Sequence, residues 1–192
     1  MRKSLVAVLL ALSMTSLSYG GDGSPFDSGP SGGTNDHRVL NVFDSQGQRV
    51  GPLLSLGTLE GVVLSANGVT IFVPVQRATD SGGQILASQY VWWSGTYFTI
   101  FPSSDCSGPP IIVGDIAGTL RPSTVVRQGA GAIAYIAPDT YSTTITTAMS
   151  FLSSGQCLSG SSLPPFITGE GWTPESSYLL TQHHPEPLTI HY

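Results

Sequence analysis

The sequence predicts an all-β protein, a single antiparallel β-sandwich or barrel-like domain held by one disulfide. Short apolar runs recur along most of the chain, broken by clusters of Gly, Pro, Ser and Asn at the spacing of sandwiches and barrels. Asn67-Gly68 lies between two such runs, and Asn-Gly in that setting is the strongest short hairpin signal. The 192 residues include 23 glycines and 14 prolines, too irregular for a helical bundle and without collagen's three-residue period. Charged residues make only 10% and hydrophobic ones 40%, whereas a disordered chain is more charged and less apolar.

The elements follow in order. Met1-Arg2-Lys3 supplies a positive start, and Leu5–Leu12 is an apolar run too short to span a bilayer. Ser18-Tyr19-Gly20 then places small residues three and one positions before a cut ahead of Gly21. Residues 1–20 are therefore expected to be a signal peptide, and the Gly/Ser-rich residues 21–37 a flexible spacer. No Cys lies near the cut and no later stretch approaches 18 consecutive apolar residues, so neither a lipid anchor nor a membrane span is expected. The protein should be exported, to a periplasm or outside the cell.

Residues 38–192 are expected to form the β-rich domain, with a loop-rich C-terminal segment over 153–192. Val39–Asp44 and Arg49–Leu54 flank Ser45-Gln46-Gly47-Gln48 as a hairpin, and Gly61–Ser65 and Val69–Val75 flank Ala66-Asn67-Gly68. Pro74 cannot donate to a ladder, which places the end of its run on an edge or at a bulge. Further strands are expected over Gln84–Trp93, Thr96–Phe101, Pro110–Val113, Thr124–Arg127 and Ala132–Ala137. The β-branched run Thr143–Thr147 favours a strand over a helix for Tyr141–Leu152. Ser153–Pro174 has the composition of a long loop, and weaker strand signals follow at Tyr178–Thr181 and Leu188–His191. The chain after Trp172 is expected either to wrap the sheet or to stay loose.

Only Cys106 and Cys157 occur, both in the exported part, and an isolated pair in an oxidising compartment is most simply one disulfide. Closing a loop of about 50 residues stabilises a fold by roughly 4 kcal/mol in the chain-entropy model. A metal thiolate pair would need two more ligands at short spacing, and no CxxC or CxxH is present.

Val42-Phe43-Asp44-Ser45-Gln46-Gly47-Gln48-Arg49-Val50-Gly51 resembles the V-x-D-x-x-G-x-x-V-G opening hairpin of small exported bacterial β-rich proteins of unassigned function. Ser103-Ser104-Asp105-Cys106-Ser107-Gly108, after Tyr97-Phe98, is similar to their S-x-D-C-x-G turn. The resemblance runs from about Val39 to Ile112. It implies a β-rich exported domain and brings no catalytic residue.

Charge excludes some functions. Seven basic residues against 12 acidic ones, a net −5 that loss of Arg2 and Lys3 makes more negative, disfavour nucleic acid and anionic lipid, which require clustered cations. Gly29-Pro30-Ser31-Gly32-Gly33 matches G-x-S-x-G, yet no strand precedes it and no helix follows, as a nucleophile elbow requires. His183-His184-Pro185-Glu186 and His191 suggest a metal cluster, but adjacent strand residues face opposite sides, and a solvated tail is the expected state. Asp44, Asp80, Asp105 and Asp139 fall at turns, where Asp caps its own backbone. A glycosidase would need two carboxyls across a cleft, and no calcium-loop motif occurs. The Thr-rich strand lacks a repeated ladder of the ice-binding kind.

The aromatic residues offer the one candidate site. Tyr90, Trp92, Trp93, Tyr97 and Phe98 lie on two successive strands, and alternation forbids Trp92 and Trp93 from sharing one core face. One of them is expected to be partly exposed or to meet a second layer such as the C-terminal segment. A patch of Trp92, Trp93 and Tyr97 could stack on sugar rings or anchor a protein partner. The expected function is an exported, non-enzymatic interaction or structural module with an unidentified protein or glycan partner and no cofactor. The alternative is a carbohydrate-binding module or, less in keeping with the residues, a carboxylate-dependent glycoside hydrolase.

Overall fold

A computed structural model of the chain describes residues 39–95, 99–113, 120–145, 148–153, 155–159 and 169–192. The expected signal peptide and spacer, and Tyr97 of the aromatic patch, lie outside these residues. Five consecutive strands, β1 (Asn41–Phe43), β2 (Arg49–Leu56), β3 (Leu59–Ala66), β4 (Val69–Thr79) and β5 (Ile85–Trp92), make an antiparallel meander. A late strand, β15 (Thr189–His191), occupies the outer edge of β1, with Phe43 opposite Thr189 and Asn41 opposite His191. On the far side Tyr90 of β5 and Leu188, just ahead of β15, exchange both backbone hydrogen bonds at 2.8 Å. The six strands thus nearly close on themselves, which leaves few unpaired edges.

Local chemistry explains the turns. Ala66 pairs with Val69, and Asn67 and Gly68 between them have φ of 51° and 83°, the positive values of a two-residue hairpin loop that matches strand twist. Asp44 Oδ1 accepts the backbone N–H groups of Gln46 and Gln48, both at 2.9 Å, and Asp80 Oδ1 does the same for Gly82 and Gln84 at 2.8 Å. Gly51 is buried on β2 because β3 passes close by: a Cβ there would lie 2.2 Å from the Val63 carbonyl oxygen. Asp44 and Gly51 are both positions of the hairpin motif, so part of that motif is explained by folding alone.

Alternation points Val62, Leu64 and Ala66 of β3 and Ile71, Val73 and Val75 of β4 into one core with Val42 and Trp92. A second layer covers it: β8 (Ser123–Gln128), β9 (Gly131–Ile136) and β14 (Ser176–Leu179) form a three-stranded antiparallel sheet in the order β14-β9-β8. Val125, Ala134 and Ile136 of that layer join the core, as does Leu180 on the short helical turn α1 (Leu180–His183). Leu180 and Leu188 have no exposed surface, and burying each such side chain contributes about 1.5–3 kcal/mol.

Two further small sheets complete the domain. One orders β12 (Gln156–Ser159), β11 (Ser150–Ser153) and β6 (Thr99–Phe101), the other β10 (Thr143–Thr144), β13 (Glu170–Trp172) and β7 (Ile112–Val113). The disulfide joins Cys106, after β6, to Cys157 on β12. The fold class and the disulfide are as the sequence predicts, in the barrel-like form.

Four expectations need correction. The run Tyr141–Leu152 is not one strand: Thr143 pairs with Gly171 while Ser150 pairs with Phe101, so its two ends serve different sheets. Ser153–Pro174 contributes β12 and β13 rather than loop alone. Pro74 sits inside a central strand. Its carbonyl accepts the Trp93 amide at 3.0 Å, so its missing N–H points to where β5 is ending, and the ladder loses little. The ladder irregularity comes later, between Arg77 and Thr79. Finally, the segment after Trp172 takes the wrapped one of its two expected states, and the solvated tail expected around His183–His184 is the reading that fails, since the segment supplies the closing strand and two core leucines.

Candidate functional site

Trp92 does not offer its ring to the predicted aromatic patch. Trp92 has no exposed surface, and its indole N–H donates to the His184 carbonyl oxygen at 3.1 Å, so its ring is unavailable for stacking on a ligand. Burial is the reason: Trp92 is the member of the pair that alternation turns inward, onto the core and the C-terminal segment. Trp93 is half-buried beside it, and Tyr97 lies outside the described residues. Cys106 and Cys157 are engaged in the disulfide.

Around Trp92 the C-terminal segment builds a polar clasp. Glu186 accepts the Trp92 backbone N–H at 2.6 Å and forms a two-pronged ion pair with Arg127 of β8, at 2.7 and 2.8 Å. Arg127 also donates to the Trp92 carbonyl at 3.2 Å. Next to it His184 Nδ1 lies 3.7 Å from the buried Asp44 Oδ2, too far for a hydrogen bond, and neither atom has another partner among the described residues. The other ring nitrogen, Nε2, is 3.3 Å from the Tyr178 hydroxyl. Burial holds the His184 pKa below its ordinary value, against the opposing pull of the Asp44 charge, while burial raises that of Tyr178. His183 stacks on Tyr178 with centroids 4.4 Å apart. Among the described residues no group of three or more His, Cys, Asp or Glu could hold a metal.

The turn carboxylates behave locally. Asp105 accepts from the Ser107 hydroxyl at 2.6 Å and from its amide at 3.2 Å, and these bonds lower its pKa. Asp139 departs from the pattern. It is 94% exposed, and its Oδ2 lies 3.4 Å from Arg121 Nη2.

That pair marks a cleft of about 350 Å³, lined by Leu120, Arg121, Pro122, Pro138, Asp139, Thr140 and Trp172. Strand register builds most of it. The β8–β9 hairpin pairs Ser123 with Ile136, and one step further out the Ala137 amide donates to the Pro122 carbonyl at 2.9 Å. Arg121-Pro122 and Pro138-Asp139 consequently leave the open end of the hairpin side by side. The prolines restrict the backbone to extended or turn geometry there. Arg121 is fixed by its own contacts: the side chain donates to the Ala137 carbonyl and the backbone amide to the Thr70 carbonyl, both at 3.2 Å. Trp172 arrives from β13, where it pairs with Ile112, and its indole N–H donates to the Thr140 carbonyl at 3.0 Å.

Sequence reasoning missed this cleft. The hairpin signal at Gly129-Ala130-Gly131 would have placed Arg121 near Pro138 once its register was counted through Gln128 opposite Gly131. The approach of Trp172 has no local signal, because it depends on the long-range pairing of β13 with β7.

No helix among the described residues is long and apolar enough to cross a membrane. No protein-family model matches the chain, and neither does any curated protein or solved structure.

Proposed function

We propose that this chain is an exported, non-enzymatic β-rich interaction module that holds its partner at the Arg121–Asp139–Trp172 cleft. The observation that carries this reading is the cleft itself: a recess lined by Trp172 and by the Arg121–Asp139 pair. The leader-like residues 1–20 and the Cys106–Cys157 disulfide support export to a periplasm or the cell exterior. A binding role is favoured over hydrolysis because, among the described residues lining the cleft, Asp139 is the one carboxylate, and a glycosidase works with two.

The test is a thermal melt of the purified protein against glycans, divalent metals and EDTA, with affinity capture of protein partners alongside. A ligand that binds only the native state stabilises it by about 2.7 kcal/mol at a hundredfold excess over Kd. A shift or a capture that Asp139→Ala abolishes supports the reading. Turnover of any tested substrate, or ligands that ignore the cleft variant, would overturn it.

A further inference from the structure

We infer that the Cys106–Cys157 disulfide is a thiol-exchange site of the folded protein, at which a small external thiol attacks Cys157 and forms a mixed disulfide there. This reaches beyond the function proposed above and is independent of the cleft. The observation behind it is an asymmetry between the two bonded cysteines. Cys157 is an exposed residue of β12, the outer strand of its sheet, and the other three residues of β12 are exposed with it. Cys106 is 6% exposed and packs with the buried Phe101 and Val126, against which Tyr135 and Leu152 also lie.

Access decides which sulfur of a disulfide an incoming thiolate attacks. Cys106 is held inside: its amide donates to the buried Ser150 hydroxyl at 3.0 Å, and that hydroxyl donates to the Ser103 carbonyl at 2.6 Å. β12, by contrast, has a neighbouring strand on one side alone among the described residues. Charge points the same way. Asp105 immediately precedes Cys106 and is kept ionised by the hydrogen bonds it accepts from Ser107, whereas residues 155–159 carry no charge. A thiolate therefore meets a like charge beside Cys106 and none along the strand that carries Cys157.

The external thiol gives up its proton, and its sulfur bonds to Cys157 Sγ while the Cys106–Cys157 bond breaks. Cys106 Sγ leaves with the bonding electron pair and takes up a proton, so the external sulfur is oxidised and Cys106 is reduced. Cys106 stays anchored, with its Cα 5.8 Å from that of Cys157 in the closed link. It is then the resolving thiol: it attacks Cys157 Sγ, expels the external thiol and restores the disulfide. Removing Cys106 should accordingly leave the external group in place on Cys157.

The experiment incubates the folded full chain with reduced glutathione in the absence of denaturant, quenches with acid and locates the adduct by peptide mass. Glutathione is expected on Cys157; an adduct on Cys106, or none, overturns the assignment. Loss of the link in dithiothreitol is then timed from zero urea to just below the unfolding transition. Attack on the folded protein gives a rate nearly flat over that range. A rate that climbs with urea in step with global unfolding overturns exchange in the folded state. Two variants read the same asymmetry with oxidised glutathione as the probe. Cys157 in Cys106→Ser should be modified at least about tenfold faster than Cys106 in Cys157→Ser, and equal rates in the two folded variants overturn the site. Where a variant fails to fold, the mapped adduct and the urea series on the parent protein still decide.

Discussion

Glu186 and Arg127, far apart in sequence, meet through both carboxylate oxygens and both terminal guanidinium nitrogens, at 2.7 and 2.8 Å. Their side chains are only 15% and 28% exposed, so this pair is better shielded than a typical surface ion pair. It fastens the C-terminal segment to β8 and, through the Trp92 amide and carbonyl, to the end of β5. The barrel's closure and the anchoring of its outer layer therefore converge on one carboxylate.

Glu186→Ala should accordingly cost about 2–4 kcal/mol, because it leaves a partly buried guanidinium and a backbone N–H without their acceptor. Glu186→Gln, which keeps shape and one acceptor, should cost less. Urea unfolding of the three proteins checks the order, and equal midpoints for Glu186→Ala and the parent would refute it.

His184 makes the clasp sensitive to acid. Burial lowers its folded-state pKa below the ordinary histidine value of about 6.5, and neighbouring His183 acts in the same direction, while Asp44 opposes both. The unfolded chain consequently binds the proton more readily than the folded one. Stability from this group is full above about pH 6.5, declines as the pH falls from there towards the lower folded pKa, and levels off below it. Urea midpoints measured from pH 8 to pH 5 should fall more steeply for the parent than for His184→Asn. Parallel slopes would rule out His184 as the source.

Reduction of Cys106–Cys157 opens a link between residues 51 apart, and the chain-entropy model assigns such a link about 4 kcal/mol. Dithiothreitol should lower the melting temperature, and amide exchange should accelerate first in β12, where Cys157 resides. The ladder of β2, β3 and β4 should stay protected longest, since it carries the core.

Gly51→Ala should destabilise by about 2–4 kcal/mol, since its methyl would sit 2.2 Å from the Val63 carbonyl oxygen and one strand must move. Gly47→Ala meets no atom but retains a φ of 76°, so its penalty should be nearer 1 kcal/mol. Chemical denaturation of the two variants distinguishes close strand approach from turn strain at two positions of one motif.

Short-range chemistry was readable from the chain alone. Asn67-Gly68, the self-capping Asp44 and Asp80, and the strand alternation of β3 and β4 each act within a few residues, so their outcome is local. The cysteine pair was readable too, because two residues allow one intramolecular bond. The segment from His183 to Glu186 looked like a solvated tail, since nothing within it announces Arg127, Asp44 or the Trp92 amide as partners. Alternation likewise required Trp92 and Trp93 to face different surroundings, without saying which would be buried.

The sequence by itself determined an all-β chain with a disulfide, its main hairpins and most of its strands, because turn geometry and side-chain alternation are properties of neighbouring residues. The tertiary structure decided the rest: that β15 closes the sheet against β1, that Pro74 fits a central strand, and that Trp172 meets Arg121 and Asp139 in a cleft. These depend on pairings between distant segments, where several partners satisfy the same local pattern and only the packing of the whole core selects among them.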